Sequence, residues 1–142
     1  MTNSNETAIV SIATVLNSKP GTSICSIQPK QGDKDAAKII YNAMNNPNHK
    51  LSDFINKRIL VENYLVEVSE IVDEDTGVLA TVPRTVLIAP DGTSFMATSK
   101  GIFNSVRNAA AALGDAPWPG GVQFEVQQVQ VGRGKMLTLA MV

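Results

Sequence analysis

Residues 83–114, PRTVLIAPDGTSFMATSKGIFNSVRNAAAALG, constrain the fold more than any other stretch of the chain. Arg84 to Ala89 is rich in Val, Thr, Ile and Leu, as suits a half-buried strand. It stops at Ala89-Pro90-Asp91-Gly92, where proline second and glycine fourth match a type I turn. A short strand, Thr93 to Thr98, returns. Thr98 or Ser99 then caps a helix whose apolar residues Ile102, Phe103, Val106, Ala109, Ala110 and Leu113 share one face, and Gly114 closes it. Strand, turn, strand and helix in that order leave the remaining segments to be placed around them.

Upstream, Ile59 to Val72 is the longest strand candidate. Its apolar positions change parity, with Tyr64, Val66 and Val68 on one face and Leu65 and Ile71 on the other. A coiled strand serving two sheets shows that pattern. Asp73 to Gly77 makes a polar hairpin connection, and Val78 to Ala89 follows with Pro83 inside it, which points to an edge or a bulge. Downstream, DAPWPGG (115–121) is a rigid crossing loop with the single tryptophan. Val122 to Val131 slips parity between Val126 and Val129, which implies a bulge or bend. Gly132-Arg133-Gly134 turns the chain into a last strand, Lys135 to Val142.

Before this array, Ala8–Leu16 and Thr22–Ile27 read as two short strands of a hairpin or flap, with a short helix as the competing reading of the first. Residues 1–7 read as frayed. Asp33–Asn46 suits a helix with Ala36, Ile39, Ile40, Ala43 and Met44 inward, and Leu51–Lys57 a second short helix. The expected organisation is one globular domain: an N-terminal extension over 1–58, packed on a mainly β barrel over 59–142. Three strands, a helix and a two-strand hairpin is the element order of the OB-fold, a five-stranded Greek-key barrel (β-β-β-α-β-β) that commonly binds oligonucleotides.

Composition narrows the function classes. The 142 residues carry 12 basic and 13 acidic side chains, so a polyanion must be held by a local patch and not by bulk charge. One cysteine and one histidine support neither a disulfide framework nor a zinc cluster. No phosphate loop or Ser/His/Asp set is legible, and the acidic run at 67–75 reads as a solvated hairpin. No enzyme, metal or cofactor is expected. A polar start and no long apolar run make an intracellular, reducing location the expectation.

Single-strand binding combines phosphate neutralisation with base stacking, so basic residues near aromatic ones are the candidates. On the barrel scheme Arg133 and Lys135 fall beside the groove, although a tight hairpin with solvated charges explains them equally. Arg84 and Lys100 flank the two central strands. Phe95 either stacks on a base or fills the core, and Tyr64 either faces the groove or is buried with its hydroxyl bonded. Lys57 and Arg58 form a basic pair at the mouth of the first long strand. Trp118 is a stacking platform or a core plug pinned by prolines.

Three stretches carry a resemblance: IIYNAMNNPNHKLSDFINKRI (39–59), VPRTVLIAPDGTSFMATSKGIFNSV (82–106) and GDAPWPGGVQFEVQQVQVGRGKMLTLAMV (114–142). Together, in order, they resemble the single-stranded DNA-binding proteins of small tailed bacteriophages. The shared pattern is Pro-Arg before the hairpin, Asp-Gly in its turn, Ser-x-Gly opening the helix and Trp before the last hairpin. The resemblance implies an OB-like, non-catalytic protein that coats single-stranded DNA during phage replication in the bacterial cytoplasm without sequence preference. Replication proteins are its implied partners, and a monomer or small homo-oligomer its implied state. The chain ends in LTLAMV, so recruitment through an acidic tail is not expected. The alternative is a β-barrel protein-interaction module of a replication or virion assembly.

Overall fold

The computed structural model describes residues 11–142. In chain order its strands are β1 (Ser23–Cys25), β2 (His49–Lys50), β3 (Arg58–Val61), β4 (Asn63–Val72), β5 (Leu79–Ile88), β6 (Ser94–Ala97), β7 (Val122–Val131) and β8 (Gly134–Met141). Its helices are α1 (Lys34–Asn45) and α2 (Lys100–Leu113), with 3-10 turns at Val15–Asn17 and Leu51–Phe54. The result is mainly β, with two helices and two sheets: five strands in the order β1-β4-β5-β6-β2, and three in the order β3-β7-β8.

The long strand expected from Ile59 to Val72 is divided between the sheets at Glu62. There the peptide is held from three sides: Glu62 N donates to Ile88 O at 2.9 Å, Trp118 N donates to Glu62 O at 2.8 Å, and Gly120 N donates to the Glu62 carboxylate at 3.1 Å. This division accounts for the change of parity. Ile59 and Val61 face the core from one sheet, and Tyr64, Val66 and Val68 face it from the other. Helix α2 fills the space between with Ile102, Phe103, Val106, Ala109 and Ala110, each such burial contributing about 1.5–3 kcal/mol for the larger side chains. Leu113, assigned to that face from its spacing, lies exposed in the last turn.

The outer face of the five-stranded sheet has its own small core. Leu65, Val86 and Ile88 meet Ala43 of α1, with Ile39, Ile40 and Met44 around them. Asp33 caps α1, its side chain accepting from Ala36 N at 3.0 Å. The extension therefore contributes two strands and a helix to the same sheet as β4 and β5.

A closed five-stranded barrel is not what the chain forms. Strand β6 has only two edges: β5 takes one, and β2 takes the other in parallel register, His49 with Phe95 and Lys50 with Met96. No ladder is left for β8. The junction is closed by side chains instead. Ser99 Oγ accepts from Gly101 N at 3.1 Å, capping α2, and donates to Leu137 O at 3.3 Å, while Leu139 N donates to Ser105 Oγ at 3.1 Å.

Other expectations are corrected locally. Residues 11–18 form turns, not a strand, because Ile12 and Val15 enter the core three residues apart, the spacing of a 3-10 turn. Residues 8–10 of that expected strand, like 1–7, lie outside the described residues. Strand β1 pairs with β4, and Leu51–Phe54 is a single 3-10 turn. Strands β7 and β8 pair without a bulge from Phe124–Met141 to Val131–Gly134. The slip at Val129 arises because the distal hairpin leaves the core, so that Val129 and Val131 are exposed. Pro83 does sit at an edge, since β6 pairs with β5 only from Thr85 onward.

Candidate nucleic-acid interface

Because β6 and β8 do not pair, a groove remains between them. It is lined by Lys50, Ser52, Met96, Ala97, Thr98, Ser99 and Leu137. An adjoining concavity shares Lys50, Ser52 and Met96 and runs past His49 and Asn48, and Asn48 in turn borders a third with Lys38, Asn42, Asp91 and Thr93. The local sequence explains the walls. Asn48 clamps the crossing chain to β6, accepting from Ser94 N at 2.9 Å through its side chain and donating through its own N to Ser94 Oγ at 3.0 Å. His49 then stacks on Phe95 at 5.4 Å between ring centres, and Phe54 meets both rings edge-on. Lys50 and Ser52 are thereby held exposed along the rim.

Charge divides the concave band. Its middle includes Asp53 and its end at α1 Asp35 and Asp91, and the Asp91 carboxyl is held below its ordinary value by bonds from the Thr93 backbone and then the Thr93 side chain. A phosphate is disfavoured beside two carboxylates. The end at β6 has no lining carboxylate; it has one ammonium, three hydroxyls and an apolar floor of Met96, Ala97 and Leu137. Lys100 follows directly on Ser99 and is exposed. Arg84 lies one residue beyond the last β5–β6 pair, Thr85–Ala97, as Thr98 does on β6. Its guanidinium reaches Glu67 at 3.4 Å, so part of its charge is already balanced.

The expected site residues therefore separate. Lys100 follows the groove residue Ser99 in the chain and Arg84 lies one residue past the β5–β6 pairing, but neither is part of the lining. Arg133 and Lys135 stand at the end of the β7–β8 hairpin and do not line it. Lys57 lies over the Phe54 ring at 5.6 Å, and Arg58 is 3.8 Å from Glu125 on the other sheet. The three aromatic candidates are core residues: Tyr64 is 3% exposed, Trp118 6% and Phe95 7%. Tyr64 and Phe95 share the inner parity of their strands, and Trp118 Nε1 donates to Gly114 O at 2.9 Å, so none offers a free ring face. Burial, then the Asp115 carboxylate, pushes the Tyr64 hydroxyl up despite a backbone bond at Ala116.

Lys50, Ser52 and Thr98, which line the groove, were not legible as a surface because they belong to β2, a 3-10 turn and a helix approach, where no periodicity marks one. Lys38 and Tyr41 had a readable signal. With Lys34 they recur at helical spacing opposite Ile39, Ile40 and Ala43, and Tyr41 is the most exposed aromatic ring, at 62%. Among the described residues no three His, Cys, Asp or Glu side chains converge as metal ligands, and no helix is long and apolar enough to cross a membrane.

Neither a curated protein nor a solved structure matches the chain. A family model described as phage single-stranded DNA-binding protein matches residues 22–142. That span takes in both sheets, both helices and every wall of the groove, and the chain belongs to the phage single-stranded DNA-binding protein family.

Proposed function

We propose that this single-stranded DNA-binding protein grips its strand in the groove between β6 and β8. The observation that carries this reading is the lining itself: Lys50, Ser52, Thr98 and Ser99 over an apolar floor with no carboxylate, next to Lys100. Ammonium and hydroxyl groups meet phosphates, and Met96, Ala97 and Leu137 meet sugar and base faces. Neither kind of contact distinguishes one base from another, which suits a protein that coats a displaced strand of any sequence. Arg84 adds a partly balanced charge at one end. His49, whose ring lines the adjoining concavity, is the stacking surface next to the groove.

The pairing pattern supports an OB-like barrel opened at one seam. The strand split into β3 and β4 pairs with both β5 and β7, β5 pairs with β6, and β7 pairs with β8. In this reading the seam that a closed barrel would zip is the place where DNA enters, and the extension through residue 58 belongs to the same domain because β2 supplies one wall. The protein binds without catalysis, acts in the cytoplasm of the infected cell, and works beside replication proteins as a monomer or small oligomer.

Fluorescence anisotropy of a labelled homopolymeric single strand tests the reading. Lys50→Ala with Lys100→Ala is expected to weaken binding and to lower the slope of log affinity against log salt by roughly 0.7 per lost phosphate contact. Lys19→Ala, away from the groove, is expected to leave both unchanged. Wild-type affinity and slope in the double variant would remove the groove from the account.

A further inference from the structure

Two hairpins project past the sheets that anchor them. The β4–β5 arm is unsupported beyond Val68: β1 pairs with β4 only over Leu65–Glu67, extended by backbone bonds at Val68, and β6 reaches β5 only at Thr85–Ile88. On the β7–β8 arm β3 covers only Val122–Glu125, extended by backbone bonds at Val126, and α2 meets β8 out to Met136 and Leu137, so the arm is unsupported only past the Val129–Met136 pair. Each arm is thus a two-stranded ribbon with open edges, and each carries exposed apolar residues that a solvated ribbon does not need. On the first these are Ile71, Val72, Val78 and Leu79, all more than half exposed, with Val72 and its cross-strand partner Leu79 on one face and Ile71 on the other; on the second they are Val129 and Val131, which share a face.

Their charges are opposite. Glu70, Asp73, Glu74 and Asp75 crowd the tip of the β4–β5 arm, where Asp73 Oδ1 also accepts from Asp75 N and Thr76 N to fix the turn. Arg133 and Lys135 occupy the tip of the β7–β8 arm, with no acidic residue from Gln127 to Val142. Pro83 blunts the free edge of β5, whereas the edge of β4 from Ser69 to Val72 keeps its donors.

We propose that the acidic β4–β5 arm of one copy packs against the basic β7–β8 arm of the next, the Val72–Leu79 face on Val129 and Val131, with the tip charges paired. Two different patches meet, so the contact is head to tail and leaves a free arm at each end, which lets a row of molecules extend along a strand. Each contact is weak alone. On a strand that already holds a neighbour, the high local concentration makes it effective. The inference rests on the strand-coating reading for that setting, and the contact itself is independent of where the groove lies.

The test compares binding to a homopolymeric strand that holds one copy with binding to one that holds several. Wild-type protein is expected to bind more tightly per copy on the long strand. Glu74→Lys with Asp75→Lys is expected to reduce that advantage by roughly tenfold, the order expected when two exposed ion pairs become repulsive, with short-strand affinity unchanged. Adding Arg133→Glu and Lys135→Glu to the same chain is expected to restore it, because the exchanged charges again attract. All four residues are exposed, Glu74, Asp75 and Arg133 at turns and Lys135 at the start of β8, and a melting curve for each variant verifies folding. No long-strand advantage in wild type, or an advantage untouched by the lysine pair, overturns the contact. Tighter binding of the lysine pair to both strands also overturns it, by showing that the acids only repel DNA. Loss of short-strand affinity in Arg133→Glu with Lys135→Glu alone places the basic arm on DNA and overturns it as well. If wild type binds no short strand, the strand-coating reading fails; sedimentation at low salt then decides the contact, which predicts association of wild type and none of the lysine pair.

Discussion

Replacing Gly101 by alanine should destabilise this protein, although the same change in an ordinary helix stabilises. In a helix interior alanine is favoured over glycine by roughly 0.8–1 kcal/mol, through backbone entropy. Here a Cβ would fall inside the contact distance of the Leu137 carbonyl oxygen, 2.6 Å from Met136 Cγ and 2.9 Å from its sulfur. The methionine can swing away, but the carbonyl belongs to the β8 backbone. Helix α2 must therefore retreat, stretching the Ser99–Leu137 and Ser105–Leu139 bonds, at 3.3 and 3.1 Å, that join the two halves. Overpacking costs about 1–3 kcal/mol and each weakened bond about 1 kcal/mol. After the helix gain is subtracted, the net loss is about 3 kcal/mol, or about 1.5 M in urea midpoint for a slope near 2 kcal/mol/M. Asn104→Ala, on the exposed side of α2, is the control and should be neutral or slightly stabilising. A Gly101→Ala midpoint at or above wild type would refute the close α2–β8 approach on which the groove depends.

Thr85 is fully buried and its hydroxyl has no hydrogen-bond partner among the described residues, so Thr85→Val should stabilise by about 1 kcal/mol in urea denaturation; a loss would reveal a partner for the hydroxyl. Trp118 should emit as a buried indole, resist quenching by iodide and change little on adding DNA, while Trp118→Ala should cost about 3–5 kcal/mol. A wild-type emission maximum typical of water would contradict that placement. Because burial raises the Tyr64 pKa above its ordinary value of 10.0, the neutral phenol is favoured in the fold. Its contribution is complete below about pH 10 and is lost as pH rises through the raised value, so Tyr64→Phe should flatten the alkaline fall in stability. Parallel alkaline melting profiles for the two proteins would count against the buried phenol.

The elements with strong local chemistry were legible in the sequence. The Pro90-Asp91-Gly92 turn, the Ser99 cap, the spaced apolar face of α2 and the Gly114 end need only nearby residues, and all four appear. The two-sheet role of Ile59–Val72 was legible from its parity. What could not be read was long-range pairing. Nothing in His49-Lys50 announces that two residues will take the edge of β6 and leave the barrel open. The same gap misplaced the aromatic residues, because whether Phe95 faces a groove or the core depends on the turn at Leu51–Phe54 that covers it. Valines 129 and 131 looked like a bulge, since sequence alone does not show where a hairpin outruns its sheet.

Photocrosslinking addresses the groove most directly. A homopolymeric single strand carrying 5-bromodeoxyuridine is bound at low salt, irradiated, and the attached peptides are mapped. Crosslinks are expected within residues 48–52 and 96–100 and at Leu137, the walls that meet where β6 and β8 fail to pair. Crosslinks confined to the β3–β7 side, at Arg58 and Glu125, with the groove unlabelled, would contradict it.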